Sequence, residues 1–263
     1  IIYDVTEWYP SKKNLRNARF GKLIKAFVLT MASIWSGCRC SAFIFGEYDK
    51  AKPFRLLFPR KKHIFLPYYP DLAYIHPAPV NDITQECRVL YAGALTKEKG
   101  WKRVMDTMCE AAKKMPQTHF YLDVITKDDC LDLPTYDNLS VRKLDFMPFL
   151  QFCRQIVDYD IFLDLRDIDF ENTRCLPIKL FYYMACGRPS IYANLSAISK
   201  GVSEIHQCAQ LVNNVVEAAN ALCEYVCNRE LYQSHCSNAL HASINKYNWN
   251  HIKSSFIQLI YEV

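Results

Sequence analysis

The sequence of 263 residues lacks several features that would assign it to a class at once. No apolar run approaches the roughly 20 residues that a membrane-spanning helix needs. The opening segment, IIYDVTEWYP, has neither a basic start nor a small-residue cleavage site, so we expect no secretory signal in it. This segment also lacks an initiator methionine and begins directly in a strand-like run. We therefore expect the chain to be truncated at its amino terminus.

Zinc-binding cysteine pairs and a strong basic charge are also absent. None of the 12 cysteines forms a C-x-x-C pair, and most lie among apolar residues, as in FLQFCRQIV and ANALCEYVC. We therefore expect no metal site, and buried, reduced thiols in a cytoplasmic protein. The net charge of +5 and the isoelectric point of about 8.5 are only mildly basic. This charge is too weak to predict nucleic acid as a partner.

From Cys87 onward, strand-like and helix-like segments alternate along the chain. The apolar run RVLYAG precedes a segment, KEKGWKRVMDTMCEAAKKM, whose apolar residues recur at helical spacing. Further strands are predicted at THFYLDVIT, LSVRKLDF, YDIFLDLR, SIYA and CAQLVNN. Such alternation is typical of right-handed crossovers and of a parallel sheet covered on both faces. About six such units make one complete doubly wound domain.

The amino-terminal segment shows the same alternation with fewer elements. IIYDV, SAFIF and HIFLPYY are predicted strands, and Asn14–Cys38 and Glu47–Phe58 are predicted helices. The predicted fold class is therefore α/β, with two doubly wound, Rossmann-like domains of which the first is incomplete. We expect the first domain at 1–80, the second at 81–246, and a closing helix at 247–263 that packs back toward the first domain.

Ligands of open α/β sheets bind outside the carboxyl ends of the strands, so the loops there are candidate sites. In YAGALTKEKG, Gly93 permits close backbone approach, and Lys97 and Lys99 place positive charge beside a helix start. This arrangement suits a diphosphate, and the alternative is a solvated loop with surface lysines. In LDFMPFL, Phe146 and Met147 could hold a flat ring, and the alternative is ordinary packing.

A third junction, RDIDFENTRCLPIKLFYYMACGRPSIY, runs from a polar loop into a short helix and then a strand. The helix is predicted to start at Pro177 and to end at Gly187, which suits the left-handed position after a helix. Arg188 and Pro189 then stop the helix. Its amino end is therefore expected to point at the cleft.

These junctions carry a resemblance to a known family. YAGALTKEKG resembles the Y-x-G-x-L…K-G signature of retaining group-1 glycosyltransferases, which have the GT-B fold. PIKLFYYMACGRPSI resembles their P-x-K-L-F-E-Y-M-A-x-G-x-P-V-I motif, typical of a bacterial KLFEYMACGRP subgroup, and GVSEIHQCAQLV resembles the segment that follows it. YDVTEWYP and LPYYPDL fit the later part of the acceptor-side domain. The resemblance spans nearly the whole chain in the expected order.

The resemblance implies a hexosyltransferase-type enzyme that moves a sugar from a nucleotide-sugar donor to a glycan or lipid-linked acceptor. In this family the reaction retains the anomeric configuration and in most cases needs no metal, so no cofactor beyond the nucleotide-diphosphate sugar is expected. The implied role is bacterial surface polysaccharide biosynthesis in the cytoplasm. The donor would be bound by the carboxyl-terminal domain through Gly93, Lys97, Lys99, Phe146, Met147, Asn172, Arg174, Lys179 and Tyr182.

The sequence departs from the family motifs at three positions. Ala94 stands where an arginine is common, and Arg174 and Tyr182 stand where glutamates are usual. Arg174 could supply the charge that Ala94 lacks. Each charge-assisted hydrogen bond contributes about 1.5–3 kcal/mol, so losing two would weaken donor binding on the order of a hundredfold or more. The alternative function is therefore a degenerate, non-catalytic GT-B relative that binds a sugar or a partner protein.

Two further expectations concern the amino-terminal part. Asp4 and Glu7 lie at the carboxyl end of the first strand and are the candidate catalytic carboxylates, orienting an acceptor hydroxyl; the alternative is an exposed capping carboxylate. The next helix carries basic residues ahead of an apolar run, which predicts peripheral contact with the inner face of the cell membrane. The alternative is a core helix with a solvated basic start. The basic residues are Lys12, Lys13, Arg16, Arg19, Lys22 and Lys25.

Overall fold

The computed structural model describes residues 1–6, 10–15, 21–129 and 136–263, and no side chain is described at positions 12 and 13. Its strands are β1 (Ile2–Val5), β2 (Ala42–Phe45), β3 (Lys62–Phe65), β4 (Glu86–Ala92), β5 (His119–Thr126), β6 (Leu139–Asp145), β7 (Ile161–Asp164), β8 (Ser190–Ala193) and β9 (Ala209–Val212). Its helices are α1 (Lys12–Leu15), α2 (Lys22–Arg39), α3 (Tyr48–Leu57), α4 (Trp101–Lys114), α5 (Phe149–Gln155), α6 (Ile178–Ala185), α7 (Ser196–Gly201), α8 (Ile205–Cys208), α9 (Val215–Cys227), α10 (Arg229–Asn245) and α11 (Trp249–Glu262). Single turns of 3₁₀ helix cover Leu72–Tyr74, Ile156–Asp158 and Asn172–Arg174.

The first sheet contains β1, β2 and β3 in that order, all parallel. The central strand β2 is buried on both faces because its side chains alternate between two apolar layers. Phe43 and Phe45 pack with Phe54 of α3, whereas Ala42 and Ile44 face the carboxyl-terminal helix α11. The described part of the first domain is therefore a short open sheet with a helix on each face.

The second sheet has six parallel strands in the order β6-β5-β4-β7-β8-β9. The direction in which successive strands are added reverses between β4 and β7. This makes the sheet doubly wound, with its switch point between these two central strands. Val89 of β4 packs with α4 and α9 on one face, and Leu90 packs with α5 and α6 on the other. On the second face, the rings of Phe162 and Tyr183 stack at 3.8 Å. The predicted fold class is confirmed.

The break after α6 also fixes the connection between the two sheets. Gly187 has a φ of 64°, the left-handed conformation predicted for the residue that ends this helix. Arg188 follows it with only 2% of its surface exposed. Its guanidinium donates to the carbonyl oxygens of Ala78 and Pro79 at 3.1 and 2.6 Å. The Gly-Arg-Pro sequence therefore both ends a helix and anchors the linker.

The last helix, α11, packs against the first sheet. Leu259 is fully buried and contacts the apolar face that includes Ile44 of β2, and Lys62 of β3 forms an ion pair with Glu262. The boundaries predicted for the domains, 1–80, 81–246 and 247–263, stay a prediction. Within the described ranges, no helix is both long and apolar enough to cross a membrane.

Candidate functional site

A cavity of about 630 Å³ lies at the carboxyl ends of β4 and β5, beside the switch point of the second sheet. We call it the first cavity. Such crevices are the usual ligand sites of doubly wound sheets. It is lined by Ala92, Gly93, Ala94, Ile125, Thr126, Lys127, Asp128, Phe146, Met147, Pro148, Phe149, Phe152 and Lys179. Four of the predicted donor-binding residues therefore meet in one place: Gly93, Phe146, Met147 and Lys179.

The loop after β4 forms one wall of the first cavity. The Gly93 amide donates to the Ile125 carbonyl at 3.0 Å, and the Tyr91 hydroxyl donates to the Ala94 carbonyl at 2.7 Å. A Cβ at Gly93 would lie 3.1 Å from the Tyr91 hydroxyl, which is a tight contact. The loop is therefore held close to the sheet, where Gly93 and Ala94 line the first cavity.

The opposite wall of the first cavity is aromatic and apolar. Phe146 is 62% exposed, and the Lys127 ammonium lies 4.1 Å from the centre of its ring. Phe149 and Phe152 of α5 continue the wall. Pro148, whose fixed φ suits a helix start, precedes this helix and turns the chain into it. This wall suits a flat ring, because exposed aromatic surface gains from packing against another π system.

Lys179 of α6 is the second cationic group that lines the first cavity, beside Lys127. Its ammonium donates to the carbonyl oxygen of Ala92 at the end of β4. Burial lowers the pKa of Lys179 to about 8, and the nearby charges of Arg166 and Lys99 add to this, although Asp164 opposes it. A negatively charged ligand bound beside Lys179 would stabilise its ammonium, which burial disfavours.

A buried ion pair, Asp164 with Arg166, lies next to Lys179 and was not predicted. Arg166 Nε donates to the Asp164 carboxylate at 2.8 Å, and less than a tenth of either residue is exposed. Although burial opposes it, the Arg166 charge holds the pKa of Asp164 below its ordinary value. The available signal was one charged residue at the last position of the buried strand β7 and a second charged residue two positions later.

The remaining predicted residues of the second domain lie outside the first cavity. Lys97 is exposed, and Lys99 lies 3.7 Å from the Glu98 carboxylate but close enough to Lys179 to lower its pKa. Asn172 is buried, and its side-chain nitrogen has no hydrogen-bond partner among the described residues. Arg174 stacks on the Phe170 ring at 3.7 Å and donates to the Phe170 carbonyl at 2.8 Å. Arg174 therefore does not replace the charge absent at Ala94.

Tyr182 and Asp4 line a second cavity of about 270 Å³ between the first sheet, α6 and α11. The Tyr68 hydroxyl donates to Asp4 at 3.0 Å, and other aromatic rings complete the walls. Tyr182 packs edge-on against Phe149, with ring centres 5.9 Å apart, and Phe149 lines the first cavity. The two cavities are therefore separated by this pair of rings.

Parts of two predictions concern residues that the structure does not describe. The candidate catalytic residue Glu7 lies outside the described residues, as do Arg16 and Arg19 of the basic segment. In the ranges that the structure covers, no three histidine, cysteine or acidic residues are grouped so that they could hold a metal ion.

The architecture matches solved structures at low sequence identity. WaaG, a glycosyltransferase involved in lipopolysaccharide biosynthesis, aligns with 97% of this chain and 73% of its own length, with 11% identity and a TM-score of 0.67. Sucrose-phosphate synthase from Thermosynechococcus elongatus aligns with 99% of this chain and 67% of its own, with 14% identity and a TM-score of 0.65. The pneumococcal O-GlcNAc transferase GtfA, solved in complex with UDP and GlcNAc, aligns with 86% of this chain and 46% of its own, with 11% identity and a TM-score of 0.63.

The chain thus spans between 46% and 73% of the length of these three proteins. No protein-family model and no curated protein sequence matches it. At identities of 11–14%, the likeness concerns the fold. This chain therefore has the GT-B fold, the architecture of these glycosyltransferases.

Proposed function

We propose that this chain binds a nucleotide-diphosphate sugar in the first cavity and transfers the sugar to an acceptor. The observation that carries this proposal is the joining of an aromatic wall, a close-lying glycine loop and the cation Lys179 at the switch point of the sheet. The aromatic wall suits the base, and the loop and the cation suit the diphosphate. GtfA, which shares the fold, was solved in complex with UDP and GlcNAc.

In the proposed mechanism, cationic side chains stabilise the diphosphate as it leaves. Lys179 lies in the first cavity, and Lys97 and Lys99 lie on the loop that follows strand β4. A preorganised positive charge in a partly dry site stabilises developing negative charge far better than the same charge in water. We therefore expect transfer without a metal, and with retention of the anomeric configuration as in the group-1 family.

The experiment that tests donor binding is an isothermal titration with UDP, GDP, ADP and dTDP and their glucose conjugates, performed with and without EDTA. We expect at least one nucleotide to bind equally well in both conditions. Failure of all of them to bind contradicts the proposal, and binding only without EDTA contradicts metal independence. Release of the nucleoside diphosphate in the presence of acceptor, followed by NMR of the new anomeric centre, tests transfer and retention.

We place the acceptor in the second cavity. Its aromatic walls suit the C–H faces of a sugar, and the ring pair Tyr182 and Phe149 lies between it and the first cavity. Asp4, already bonded to Tyr68, could orient an acceptor hydroxyl, and Glu7 is the other candidate. Replacing Asp4 with asparagine should lower turnover with little effect on nucleotide affinity. Unchanged turnover in both D4N and E7Q removes these two carboxylates from the mechanism.

The biological role that we propose is bacterial surface polysaccharide biosynthesis in the cytoplasm. We further propose that α2 makes peripheral contact with the inner face of the cell membrane. Helix α2 exposes six large apolar residues, contains no acidic residue, and carries Lys22, Lys25 and Arg39. This combination favours an anionic lipid surface. The apolar residues are Leu23, Ile24, Phe27, Val28, Met31 and Trp35.

The second candidate function is a non-catalytic GT-B relative that binds a sugar or a partner protein. It is favoured by Ala94 in the first cavity and by the positions of Arg174 and Tyr182, which bring no carboxylate into it. Nucleotide-sugar binding without release of the nucleoside diphosphate, tested across glycan and lipid-linked acceptors, would identify this function. Transfer to any acceptor excludes it.

A further inference from the structure

A polar recess of about 440 Å³ lies on the second sheet, toward the amino ends of the strands whose carboxyl ends wall the first cavity. We call it the strand recess. Its floor is formed by β4, β5 and β6, and one side is formed by the segment that follows α5. The six floor residues are Glu86, Arg88, Tyr121, Asp123, Ser140 and Arg142.

The strand register places these side chains on one face. Arg88 pairs with Tyr121, which pairs with Ser140, and Asp123 pairs with Arg142. Parallel sheets normally carry apolar side chains on both faces, because helices cover them. Farther along the same face, Leu90 and Ile125 do belong to the core. The charged residues therefore stand where a covered sheet would have apolar ones, and the recess is an open pocket in an otherwise covered face.

The polar groups of the strand recess are held in fixed positions. Asp123 is only 7% exposed, and its carboxylate accepts from Arg142 Nε at 2.9 Å and Nη2 at 2.6 Å. The Tyr159 hydroxyl donates to the same carboxylate at 2.6 Å. Arg142 nevertheless keeps 67% of its side chain exposed. One edge of its guanidinium is bound to Asp123, and the remaining N–H groups face the recess. Two-point pairing of this kind sets the orientation of a guanidinium.

The charge of the strand recess indicates the class of ligand. Glu86, Asp123 and Asp158 carry three negative charges, and Arg88 and Arg142 carry two positive ones, which leaves a net charge of −1. A site for phosphate or a nucleotide would carry an excess of positive charge. Hydroxyl groups, in contrast, both donate and accept, so neighbouring carboxylates and guanidiniums satisfy them together.

An aromatic ring lies in the middle of this mixed set. Tyr121 is half-buried, its ring centre lies 4.5 Å from that of His119, and the His119 ring is bonded to Ser140 at 2.8 Å. The ring offers a flat apolar surface to the C–H face of a sugar, while the charged groups around it meet the hydroxyls. We propose that the strand recess binds a neutral carbohydrate chain.

This site is separate from the two cavities described above. Arg88 lies four residues before Ala92 on β4, roughly 13 Å at about 3.3 Å per residue. The core residues Leu90, Cys153 and Ile156 are packed on the sheet face between the two openings. The proposal does not rest on transferase activity, since carbohydrate binding is measured without a nucleotide-sugar.

The test is a titration of the whole chain with maltohexaose, cellohexaose and chitohexaose, measured by calorimetry and by saturation-transfer NMR. We expect at least one of them to bind. Replacing Ser140 with tryptophan, which fills the recess, and replacing Tyr121 with alanine should each weaken binding at least tenfold. Tyr261, which is 87% exposed on α11, provides the matched control: Y261A should bind as the unmodified chain does.

Arg88→Gln provides a second test at an exposed side chain if S140W does not fold, as judged by its thermal midpoint. Weaker binding by R88Q supports the proposal. Three results overturn it: no binding of any of the three oligosaccharides, binding that the recess variants leave unchanged, or binding that K179M abolishes while the recess variants retain it. Tighter binding of inorganic phosphate than of every oligosaccharide would overturn the assignment to a neutral ligand.

Discussion

Lys179 donates from its ammonium to the carbonyl oxygen of Ala92, so that helix α6 is tied to the end of strand β4. This contact joins two residues that are 87 positions apart in sequence and brings a cation into the first cavity. The nearby Asp164–Arg166 pair is internally neutral, so as a pair it adds no net charge beside Lys179. The proposed partner for the Lys179 charge is an anionic diphosphate.

Replacing Lys179 with methionine should weaken binding of the preferred nucleoside diphosphate about ten- to a hundredfold. The physical reason is the loss of one charge-assisted contact, which is worth about 1.5–3 kcal/mol. Calorimetric titration measures the change. K102M is the matched control, because Lys102 lies on α4 with 80% of its side chain exposed and pairs with Asp106 on the same helix. Equal affinity for K179M and the unmodified chain would remove Lys179 from the donor site.

The affinity for the nucleoside diphosphate should fall as pH rises through about 8. The pKa of Lys179 lies near 8 in the free protein, so its side chain carries a positive charge below this pH and loses that charge above it. A bound diphosphate favours the charged form, and binding must therefore take up a proton at higher pH. Titrations from about pH 7 to about pH 9.5 would show the slope, and K179M should flatten it. A profile that is the same in both proteins would contradict the assignment.

The same lysine has a consequence for stability. Because its folded pKa of about 8 lies below its unfolded value, the unfolded chain binds more protons between about pH 8 and the unfolded pKa. The contribution of Lys179 to the free energy of unfolding should therefore increase with pH across that window. Denaturant unfolding of K179M and the unmodified chain at several pH values would isolate this contribution, which the variant should lack.

Replacing Tyr182 with glutamate should not strengthen nucleotide binding by more than about threefold, although this restores the family carboxylate. Tyr182 faces the second cavity with Asp4, and a glutamate there would lie near another carboxylate rather than near the first cavity. Like charges at close range disfavour each other. Calorimetry with the preferred nucleoside diphosphate measures the effect, and Y182F is the uncharged control. A tenfold gain in Y182E would mean that this position does reach the donor.

Replacing Gly100 with alanine should lower the free energy of unfolding by about 3 kcal/mol or more. Gly100 has a φ of 77°, and a Cβ there would lie 2.0 Å from the Leu165 carbonyl oxygen. Gly21 is the matched control, since its φ is 78° but the nearest described atom to an added Cβ lies at 4.0 Å. G21A should therefore lose only about 1–2 kcal/mol, the cost of the left-handed backbone. Similar losses in both variants would show that the clash at Leu165 is relieved.

The exposed face of α2 should bind anionic vesicles at low salt. Sedimentation with phosphatidylglycerol-containing vesicles should pull down the unmodified chain, and salt should release part of it, because surface charges are screened. Replacing Phe27 with serine should reduce binding, since the ring is 63% exposed on the apolar face. L56S changes an apolar residue on α3 that is even more exposed, at 83%, and should bind normally. Absence of sedimentation in the unmodified chain would exclude the membrane contact.

Much of the fold follows from local sequence patterns. Alternation of short apolar runs with helical periodicity is enough to predict the parallel sheets, because each pattern sets the period of one element. Gly187 and Pro189 mark the end of α6 for the same local reason. Helix α10 was not predicted, because its buried side includes small and polar residues such as His235, Ala239 and Ser243 instead of an apolar stripe.

The sequence by itself determined the order of the strands along the chain, the break at Gly187, and the candidate loops for a ligand. Only the tertiary structure decided which of those loops meet. Lys179 and Ala92 come together because β4 and β7 are neighbours at the switch point, whereas Tyr182, one turn farther along α6, faces the second cavity instead. At about 100° and 1.5 Å per residue, positions 179 and 182 are offset by about 60° around the helix axis and about 4.5 Å along it, so the two side chains can meet partners from different parts of the chain. The strand recess likewise depends on register, which aligns Asp123 with Arg142 only once the strands are paired.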